Sequence, residues 1–243
     1  MRSILAYQKM ARRKPKYQKK DNRDEGVFLK KKLSARSPNQ KKYIQSIESN
    51  SLTFCDGPAG SGKTHIAVGC AVEALISGKV EKIIITRPVV EAGEKIGFLP
   101  GDADKKLYPY LLPVFDELNY FVSHEQINNW KNQGKLVVAP VGLMRGRNFH
   151  SCFIVSDECQ NLSMKQLKML LTRMGMESKL VITGDDSQSD LPYRQRGAFS
   201  KCLTRLDGVD NLGVMYLKKE DIVRNPLIPI ILDKLKDDKE GDY

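Results

Sequence analysis

The sequence predicts an α/β fold in which helices flank a mostly parallel sheet. Short, continuous apolar runs rich in Val and Ile alternate with segments of helical pattern, and such runs are typical of strands buried on both faces. We predict six strands, at residues 52–55, 82–86, 136–139, 152–156, 180–183 and 214–217. We predict helices at residues 64–76, 125–131 and 164–173, and Ser37 with Pro38 is a helix-start signal for residues 37–49. This alternation favours parallel strands joined by helical crossovers.

Length and composition limit the class of protein. A chain of 243 residues with 41% hydrophobic residues can bury one sizeable core and at most a small appendage. Its five cysteines form no CxxC pair, which argues against a disulfide framework or a zinc site and for a reducing compartment. No apolar stretch is long enough to span a membrane, and the first residues lack the apolar core of a signal peptide. We therefore expect a soluble cytoplasmic protein.

The positive charge is concentrated at the amino terminus. Residues 1–36 hold 13 Lys or Arg and 3 acidic residues, which is +10 of the total net charge of +11. This segment has too few large apolar residues to fold alone, so we predict a basic, flexible arm. It could tether single-stranded nucleic acid through phosphate contacts, with Tyr7 and Tyr17 stacking on bases, or it could be a solubilising or partner-docking tail.

A glycine-rich turn between the first strand and the following helix matches G-x-x-x-x-G-K-[ST] in full. Its glycines let backbone N–H groups converge on phosphate oxygens, and the helix offers its positive end to the same anion. We expect Lys63 to reach the β- and γ-phosphates of a nucleotide and Thr64 to coordinate Mg²⁺. The predicted nucleotide-binding residues of this segment are Gly57, Pro58, Ala59, Gly60, Ser61, Gly62, Lys63, Thr64 and His65.

Two acidic residues, Asp157 and Glu158, follow the fourth strand at its carboxyl end, where ligands bind in open α/β sheets. We predict that Asp157 holds Mg²⁺ with Thr64. Glu158 could orient and deprotonate a water that attacks the γ-phosphate, which favours hydrolysis over transfer to a small acceptor. A solvated acidic turn is the alternative interpretation, and the phosphate-binding loop disfavours it.

Two later segments supply further candidates. The fifth strand ends in GDDSQSDLP, and if it lies beside the fourth strand it brings Asp185 or Gln188 near the γ-phosphate. A turn of Gly, Asp and Ser without catalytic function is the alternative. EDIVRNP offers Arg224, which could stabilise transition-state charge, although a lone arginine is usually a surface residue.

Together these motifs resemble those of the PhoH-like family of P-loop ATPases. Residues 86–118, TRPVVEAGEKIGFLPGDADKKLYPYLLPVFDEL, are similar to the family's signature segment. The remaining motifs occur in the family's order: NQKKYIQSI (39–47), MRGR (144–147), DECQN (157–161), GDDSQSDLP (184–192) and DIVRNPL (221–227). The resemblance covers about residues 37–232, which we take as the ATPase domain, followed by a polar tail at 233–243.

The resemblance implies a core similar to that of superfamily 1 helicases, an RNA-linked role and a ring, expected to be hexameric. It implies that Gln40 reads the adenine edge and that Lys63, Glu158, Gln188 and Arg224 are catalytic. It makes Arg87, Arg145 and Arg147 candidates for nucleic-acid or subunit contacts. Arg224 could act in its own site or in a neighbour's.

The sequence departs from the family pattern in places. Ser156 and Cys159 flank the acidic pair where the family more often has Leu and Ala, and Asn225 replaces a usual His. None of these positions is a predicted phosphate or Mg²⁺ ligand. No segment resembles the RNase-like PIN domain of some relatives, so the chain resembles the compact, ATPase-only versions of bacteriophages. Asp56 has no explanation in the sequence.

Three functions follow as hypotheses. The first is an ATPase that couples hydrolysis to movement on, or remodelling of, single-stranded RNA or DNA. The second is an ATP-gated binding module that recruits a partner such as a ribonuclease. The third, a small-molecule kinase, fits poorly because no acceptor lid is recognisable.

Overall fold

The computed structural model describes residues 27, 29–88, 103–192 and 196–222, with side chains of the helix at 103–121 described from residue 110 onward. The strands are Leu52–Asp56 (β1), Lys82–Arg87 (β2), Leu136–Pro140 (β3), Cys152–Ser156 (β4), Lys179–Gly184 (β5) and Leu212–Tyr216 (β6). The helices are Pro38–Ser49 (α1), Lys63–Ile76 (α2), Ala103–Phe121 (α3), His124–Asn132 (α4), Met164–Leu171 (α5) and Ala198–Leu206 (α6). All six predicted strands are confirmed, each with ends within two residues of the prediction.

The six strands form one sheet in the order β3-β2-β4-β5-β1-β6, and every neighbouring pair is parallel. The predicted α/β class with a parallel sheet is therefore confirmed. β5 lies between β4 and β1, so the carboxyl ends of these three strands meet at one edge of the sheet. The polar segments that follow them are brought together there.

Helices cover both faces of the sheet. Along β2, Ile83 and Ile85 pack into the core formed with α1 to α4, whereas Ile84 packs into the core formed with α5 and α6. All three isoleucines are fully buried, and each contributes about 1.5–3 kcal/mol by leaving water. Burial on both faces explains why the strands are continuous apolar runs without alternation.

Helix α2 packs closely against α3. A Cβ on Gly69 would lie 2.7 Å from Cζ of Phe121 and 2.8 Å from a side-chain carbon of Leu33, so only glycine fits there without displacing a neighbour. This contact fixes α2, and with it the turn that precedes α2, relative to the aromatic end of α3.

Part of the predicted basic arm lies against this same region. The Lys30 N–H donates to the carbonyl of Phe121 at 2.7 Å, and the Leu33 N–H donates to Glu73 Oε1 at 3.2 Å. Val27, Leu29 and Leu33 pack against the core. The rest of the arm and the polar tail at 233–243 lie outside the described residues. No helix of the described part is long and apolar enough to cross a membrane.

Candidate functional site

The turn between β1 and α2 has the geometry of a phosphate-binding loop. Gly60 and Gly62 adopt left-handed φ values of 83° and 90°, which glycine reaches without the steric cost of a side chain. A Cβ on Gly57 would lie 2.6 Å from the carbonyl oxygen of Leu217, so the loop also needs glycine where it passes the end of β6. The turn delivers the chain directly into the first turn of α2, whose free N–H groups favour an anion.

This loop borders a cavity of about 580 Å³, a size that suits a nucleotide. Lys63 lines it, and its Nζ donates to the carbonyls of Gly57 at 2.6 Å and Pro58 at 3.1 Å, which holds the ammonium group at the loop. Ser61 is fully buried and braces the turn by donating from Oγ to the Pro58 carbonyl at 2.8 Å. Of the predicted loop residues, those lining the cavity are Ala59, Gly60, Gly62, Lys63, Thr64 and His65.

The two predicted Mg²⁺ ligands are in direct contact. Thr64 Oγ1 donates to Asp157 Oδ1 at 2.7 Å, across 93 residues of sequence. Asp157 is only 4% exposed, and the same Oδ1 also accepts from Thr183 Oγ1 at 2.7 Å. A carboxylate and a hydroxyl are hard oxygen donors of the kind Mg²⁺ prefers, and this ion commonly keeps several waters, so two protein ligands suffice. The donor set therefore fits Mg²⁺.

Glu158 stands next to this pair in an unusual backbone conformation. Its φ of 55° and ψ of 36° are left-handed, which costs a non-glycine residue about 1–3 kcal/mol and is most often retained at functional sites. The side chain lines the cavity, with Oε1 at 3.1 Å from Arg87 Nη2 and Oε2 accepting from Gln160 Nε2 at 2.6 Å. Both oxygens of the candidate general base thus have protein partners.

The β5 end reaches the cavity through its last residue. Gly184 lines the cavity, whereas Asp185 and Gln188 do not. Asp185 is buried, and its backbone N–H donates to Gln160 Oε1 at 3.0 Å. Gln188 ends a short 3-10 helix, Asp186–Gln188, with its side chain exposed and its carbonyl 3.4 Å from Gln160 Nε2. The predicted role of Gln188 stays a prediction.

Asp56, which the sequence left unexplained, has a structural partner. Its Oδ1 accepts the Asp186 N–H at 3.1 Å and so fastens the segment after β5 to the end of β1. Burial raises the pKa of the Asp56 carboxyl, and the nearby carboxylates of Asp186 and Asp185 raise it further. Asp56 thus has a structural role at the sheet edge that carries the loop.

Gln40 lines the cavity from α1, but its amide is engaged within the protein. Nε2 donates to the carbonyls of Ser61 at 2.9 Å and Asp221 at 3.3 Å, while Oε1 accepts the Arg36 N–H at 2.7 Å. In this arrangement Gln40 ties α1 to the phosphate loop and to the segment after β6. Its predicted contact with adenine stays a prediction.

One end of the cavity, where α2 begins and α3 ends, is aromatic and polar. His65 Nδ1 lies 2.8 Å from Glu117 Oε2, and the imidazole packs against the rings of Tyr120 and Phe121 at centroid distances of 4.7 and 4.8 Å. His65, Glu117 and Tyr120 line the cavity. This end offers stacking surface and a polar pair to a nucleobase.

Three further predicted residues are Arg224, Arg145 and Arg147. Arg224 lies outside the described residues, so its role stays a prediction. Arg145 and Arg147 line neither this cavity nor the smaller one beside it. The Arg147 guanidinium lies over the Phe149 ring, 5.0 Å from its centroid.

Other residues at the site were not singled out from the sequence. Gln160 lies within DECQN, and its proximity to Glu158 was the available signal. Thr183, Glu117 and Tyr120 had no such signal, because each reaches the site through strand order or helix packing. Ser156 and Cys159, the two departures from the family pattern, lie 3.0 Å apart through Oγ and Sγ, both buried beneath the acidic pair.

Comparisons with known proteins agree with this geometry. The family model described as PhoH-like protein matches residues 32–236. A PhoH-like protein of Synechocystis sp. is 44% identical over 201 residues, which are 83% of this chain and 61% of that protein. A PhoH-like protein of Bacillus subtilis is 41% identical, over 84% of this chain and 64% of its own length. Protein PhoH of Escherichia coli is 40% identical, over 86% and 58%. The chain thus spans about three fifths of the length of these relatives.

Among solved structures, the chain is similar to the large terminase of a thermophilic bacteriophage, with a TM-score of 0.49 and 13% identity over 82% of this chain and 50% of that one. It is also similar to the UvsW helicase of bacteriophage T4, with a TM-score of 0.46 and 14% identity over 78% and 63%. The sequence relatives and the family model decide the assignment: the chain belongs to the PhoH-like family.

Proposed function

We propose that the protein is a Mg²⁺-dependent ATP hydrolase that couples hydrolysis to translocation on, or remodelling of, single-stranded RNA or DNA. The observation that carries the hydrolytic part is the Thr64–Asp157 contact of 2.7 Å at the mouth of the phosphate loop, with Glu158 as the next residue. Thr64 lies in the first turn of α2 and the two acidic residues follow β4, and the parallel sheet brings these two segments together.

Each residue has a defined task in this proposal. The loop N–H groups and Lys63 bind the β- and γ-phosphates and neutralise the charge that develops there. Thr64 and Asp157 would hold Mg²⁺, which would supply charge neutralisation at the phosphates. Glu158 accepts a proton from the attacking water, and its place in the cavity wall lets it face the terminal phosphate. Gln188 and Arg224 are proposed to orient the water and to stabilise transition-state charge.

The nucleic-acid part rests on charge and family. The segment 1–36 carries nearly all of the chain's net positive charge, and Arg36, at its end, lines the nucleotide cavity. A basic segment that ends at the nucleotide cavity would link phosphate contacts on a polymer to the state of that site. We further propose a ring, as a hexamer, in which a neighbouring subunit serves as the second moving part for this core.

The test is steady-state ATP hydrolysis with Mg²⁺, with and without a single-stranded RNA. We expect hydrolysis by the parent protein, stimulated by RNA, and a loss of at least about 100-fold in kcat/KM for Lys63→Ala, because a charge-stabilising group at a phosphate is worth that much. Lys79→Ala, which removes an exposed lysine after α2, is the matched control. Equal rates for Lys63→Ala and Lys79→Ala would show that this cavity is not the site of hydrolysis.

A second candidate function is an ATP-gated binding module. The contacts that both carboxylate oxygens of Glu158 make within the protein favour it. With both oxygens held by Arg87 and Gln160, hydrolysis is expected to be slow until these contacts change. Two results would favour this function over the first. The rate of ATP hydrolysis would not rise when RNA or DNA is added, and a purified ribonuclease would be captured only in the presence of ATP.

A further inference from the structure

A second, smaller cavity of about 300 Å³ lies beside the nucleotide cavity. The two share three wall residues, Arg87, Pro113 and Glu158. The other described residues that line the smaller cavity are Pro88, Tyr110, Asn161 and Asp190. The ion pair between Arg87 and Glu158 therefore belongs to both cavities, at the carboxyl ends of β2 and β4.

The backbone holds the two partners of this ion pair together. β2 and β4 are neighbours in parallel register, with Thr86 opposite Ser156, and the Asp157 N–H donates to the Thr86 carbonyl at 2.9 Å. The side chains are less constrained, because Arg87 is 22% and Glu158 38% exposed. Gln160, which holds the other Glu158 oxygen, is only 3% exposed and is bound to the Asp185 N–H at its far end. Of the two partners of Glu158, Arg87 is thus the one that a ligand can reach.

The chemistry of the smaller cavity indicates what such a ligand would be. Among its described lining residues Arg87 is the cation, and a guanidinium pairs with phosphate oxygens through two parallel hydrogen bonds. Tyr110 supplies an aromatic face of the kind on which bases stack. Asn161 and Asp190 are hydrogen-bonded to each other, by Asn161 Nδ2 to Asp190 Oδ2 at 3.1 Å and by the Asp190 N–H to Asn161 Oδ1 at 2.8 Å. The exposed Asp190 side chain is the second carboxylate of this cavity beside Glu158, and the Asn161 amide occupies one of its oxygens.

We propose that the smaller cavity binds a phosphodiester of single-stranded nucleic acid, and that this phosphate draws Arg87 away from Glu158, leaving the carboxylate free to accept a proton from water. Arg87 is then a positioning residue that links polymer binding to hydrolysis. The inference deepens the proposed function and rests on it for the hydrolytic readout. The binding readout stands by itself.

The coupling must be reciprocal, because one guanidinium cannot serve both anions fully. The probe is a fluorescein-labelled 12-nucleotide oligouridylate, and the measurement is fluorescence anisotropy on the nucleotide-free full chain at several salt concentrations. Glu158→Gln is expected to bind about 3- to 10-fold more tightly than the parent, and Arg87→Gln about 3- to 10-fold more weakly. Losing one phosphate contact should reduce the salt slope of Arg87→Gln by about 0.7.

The double variant decides whether these effects have one origin. Glu158→Gln in the Arg87→Gln background is expected to change affinity less than twofold, since no guanidinium remains to be released. The matched controls for loss of charge are Glu81→Gln and Arg205→Gln. Glu81 is exposed just before the amino end of β2, and Arg205 is exposed on α6. Glu158→Gln binding no more tightly than Glu81→Gln, or an unchanged salt slope for Arg87→Gln, would overturn the proposal.

The hydrolytic readout separates this role from catalysis. Arg87→Gln should raise the ATPase rate without RNA and bring the ratio of stimulated to unstimulated rates close to one, while Arg87→Lys should retain part of the stimulation. A lower unstimulated rate with an unchanged ratio would place Arg87 in the catalytic machinery instead. Equal stimulation by poly-glutamate would assign the cavity to acidic peptide and contradict a nucleic-acid ligand. Oligouridylate binding without any ATP hydrolysis would refute the proposed function while leaving the binding inference intact.

Discussion

Asp157 and Glu158 are consecutive residues with opposite surroundings. Asp157 is buried, its N–H continues the pairing between β2 and β4, and one of its oxygens accepts from two threonines at 2.7 Å. Glu158 turns out of the sheet in a left-handed conformation, is partly exposed, and contacts one buried amide and one reachable arginine. The candidate metal-binding carboxylate is fixed by the fold, whereas the candidate catalytic carboxylate is held by side chains that can exchange partners.

The difference indicates which property each residue controls. A fixed carboxylate pays its desolvation cost once, on folding, and is ready for a cation. An adjustable carboxylate lets hydrolysis depend on what else is bound.

The largest effect is expected for Asp157→Asn. The amide oxygen can still accept from Thr64 and Thr183, so the fold should persist, but the negative charge for Mg²⁺ is lost. We expect kcat/KM for Mg–ATP to fall at least about 100-fold, since the metal supplies several kcal/mol of charge stabilisation. Steady-state hydrolysis over a Mg²⁺ titration is the measurement, with the exposed Asp210→Asn as control. A Mg²⁺ dependence identical to that of the parent would remove Asp157 from the metal site.

A smaller effect is expected for Gln160→Met, which keeps the side-chain length but removes the amide. Glu158 loses its buried anchor and the Asp185 N–H loses its acceptor. We expect kcat to fall about tenfold with little change in KM, because a catalytic group is misoriented while the phosphate and metal contacts remain. The exposed Gln133→Met is the control. A change confined to KM would show that Gln160 serves binding and not Glu158.

Thr183→Val tests whether the fold holds Asp157 in place through the Thr183 hydroxyl. The change removes one of the two hydroxyls that Asp157 Oδ1 accepts, in a fully buried position at the end of β5. We expect the free energy of unfolding to fall by about 1–3 kcal/mol, the usual cost of leaving a buried charged acceptor short of a donor. Urea unfolding measures it, with Thr204→Val on the exposed side of α6 as control. Equal stability of the two variants would mean that Asp157 is not held by this bond.

The smallest effect is expected for Asp56→Asn and depends on pH. Because burial raises the pKa of Asp56 in the folded state, ionisation of this carboxyl disfavours folding as pH rises through and above its ordinary value of 3.8. The variant cannot ionise and can still accept the Asp186 N–H. We expect equal Tm values below about pH 3.5 and a higher Tm for the variant at pH 7. A variant that is less stable at pH 7 would show that the charge on Asp56 stabilises the fold.

The strands were predictable because each is short, apolar and buried on both faces, a pattern that depends only on local sequence. The predicted proximity of β5 and β4 is also confirmed. It was predictable because a parallel α/β sheet allows few alternative strand orders. Helix α3 was not predicted. Its sequence places Pro113 in the interior, where a proline removes a backbone donor, and packing against α2 offsets that loss. Helix α6 was missed because it is short and follows Gly197 in a left-handed conformation.

The residues of the site also divide into those that the sequence predicts and those that it does not. The loop, Thr64, Asp157 and Glu158 follow from motifs and from the rule that ligands bind at carboxyl ends of parallel strands. Arg87 and Thr183, which contact the acidic pair, do not follow from motifs, because they reach it only through the observed strand order. Asp56 shows this most clearly: its partner, the Asp186 N–H, is 130 residues away and adjacent only because β1 pairs with β5.

The assignment of Glu158 as the general base is tested most directly by single-turnover hydrolysis of Mg–ATP. The Glu158→Gln variant is measured beside the parent protein at saturating enzyme. The variant should bind the nucleotide with at least the parent's affinity, since the phosphate loop, Thr64 and Asp157 are unchanged. Its hydrolysis rate should be lower by about 100-fold or more, because general-base assistance is worth about 10²–10⁴. A hydrolysis rate equal to that of the parent would contradict the assignment of Glu158 as the group that activates water.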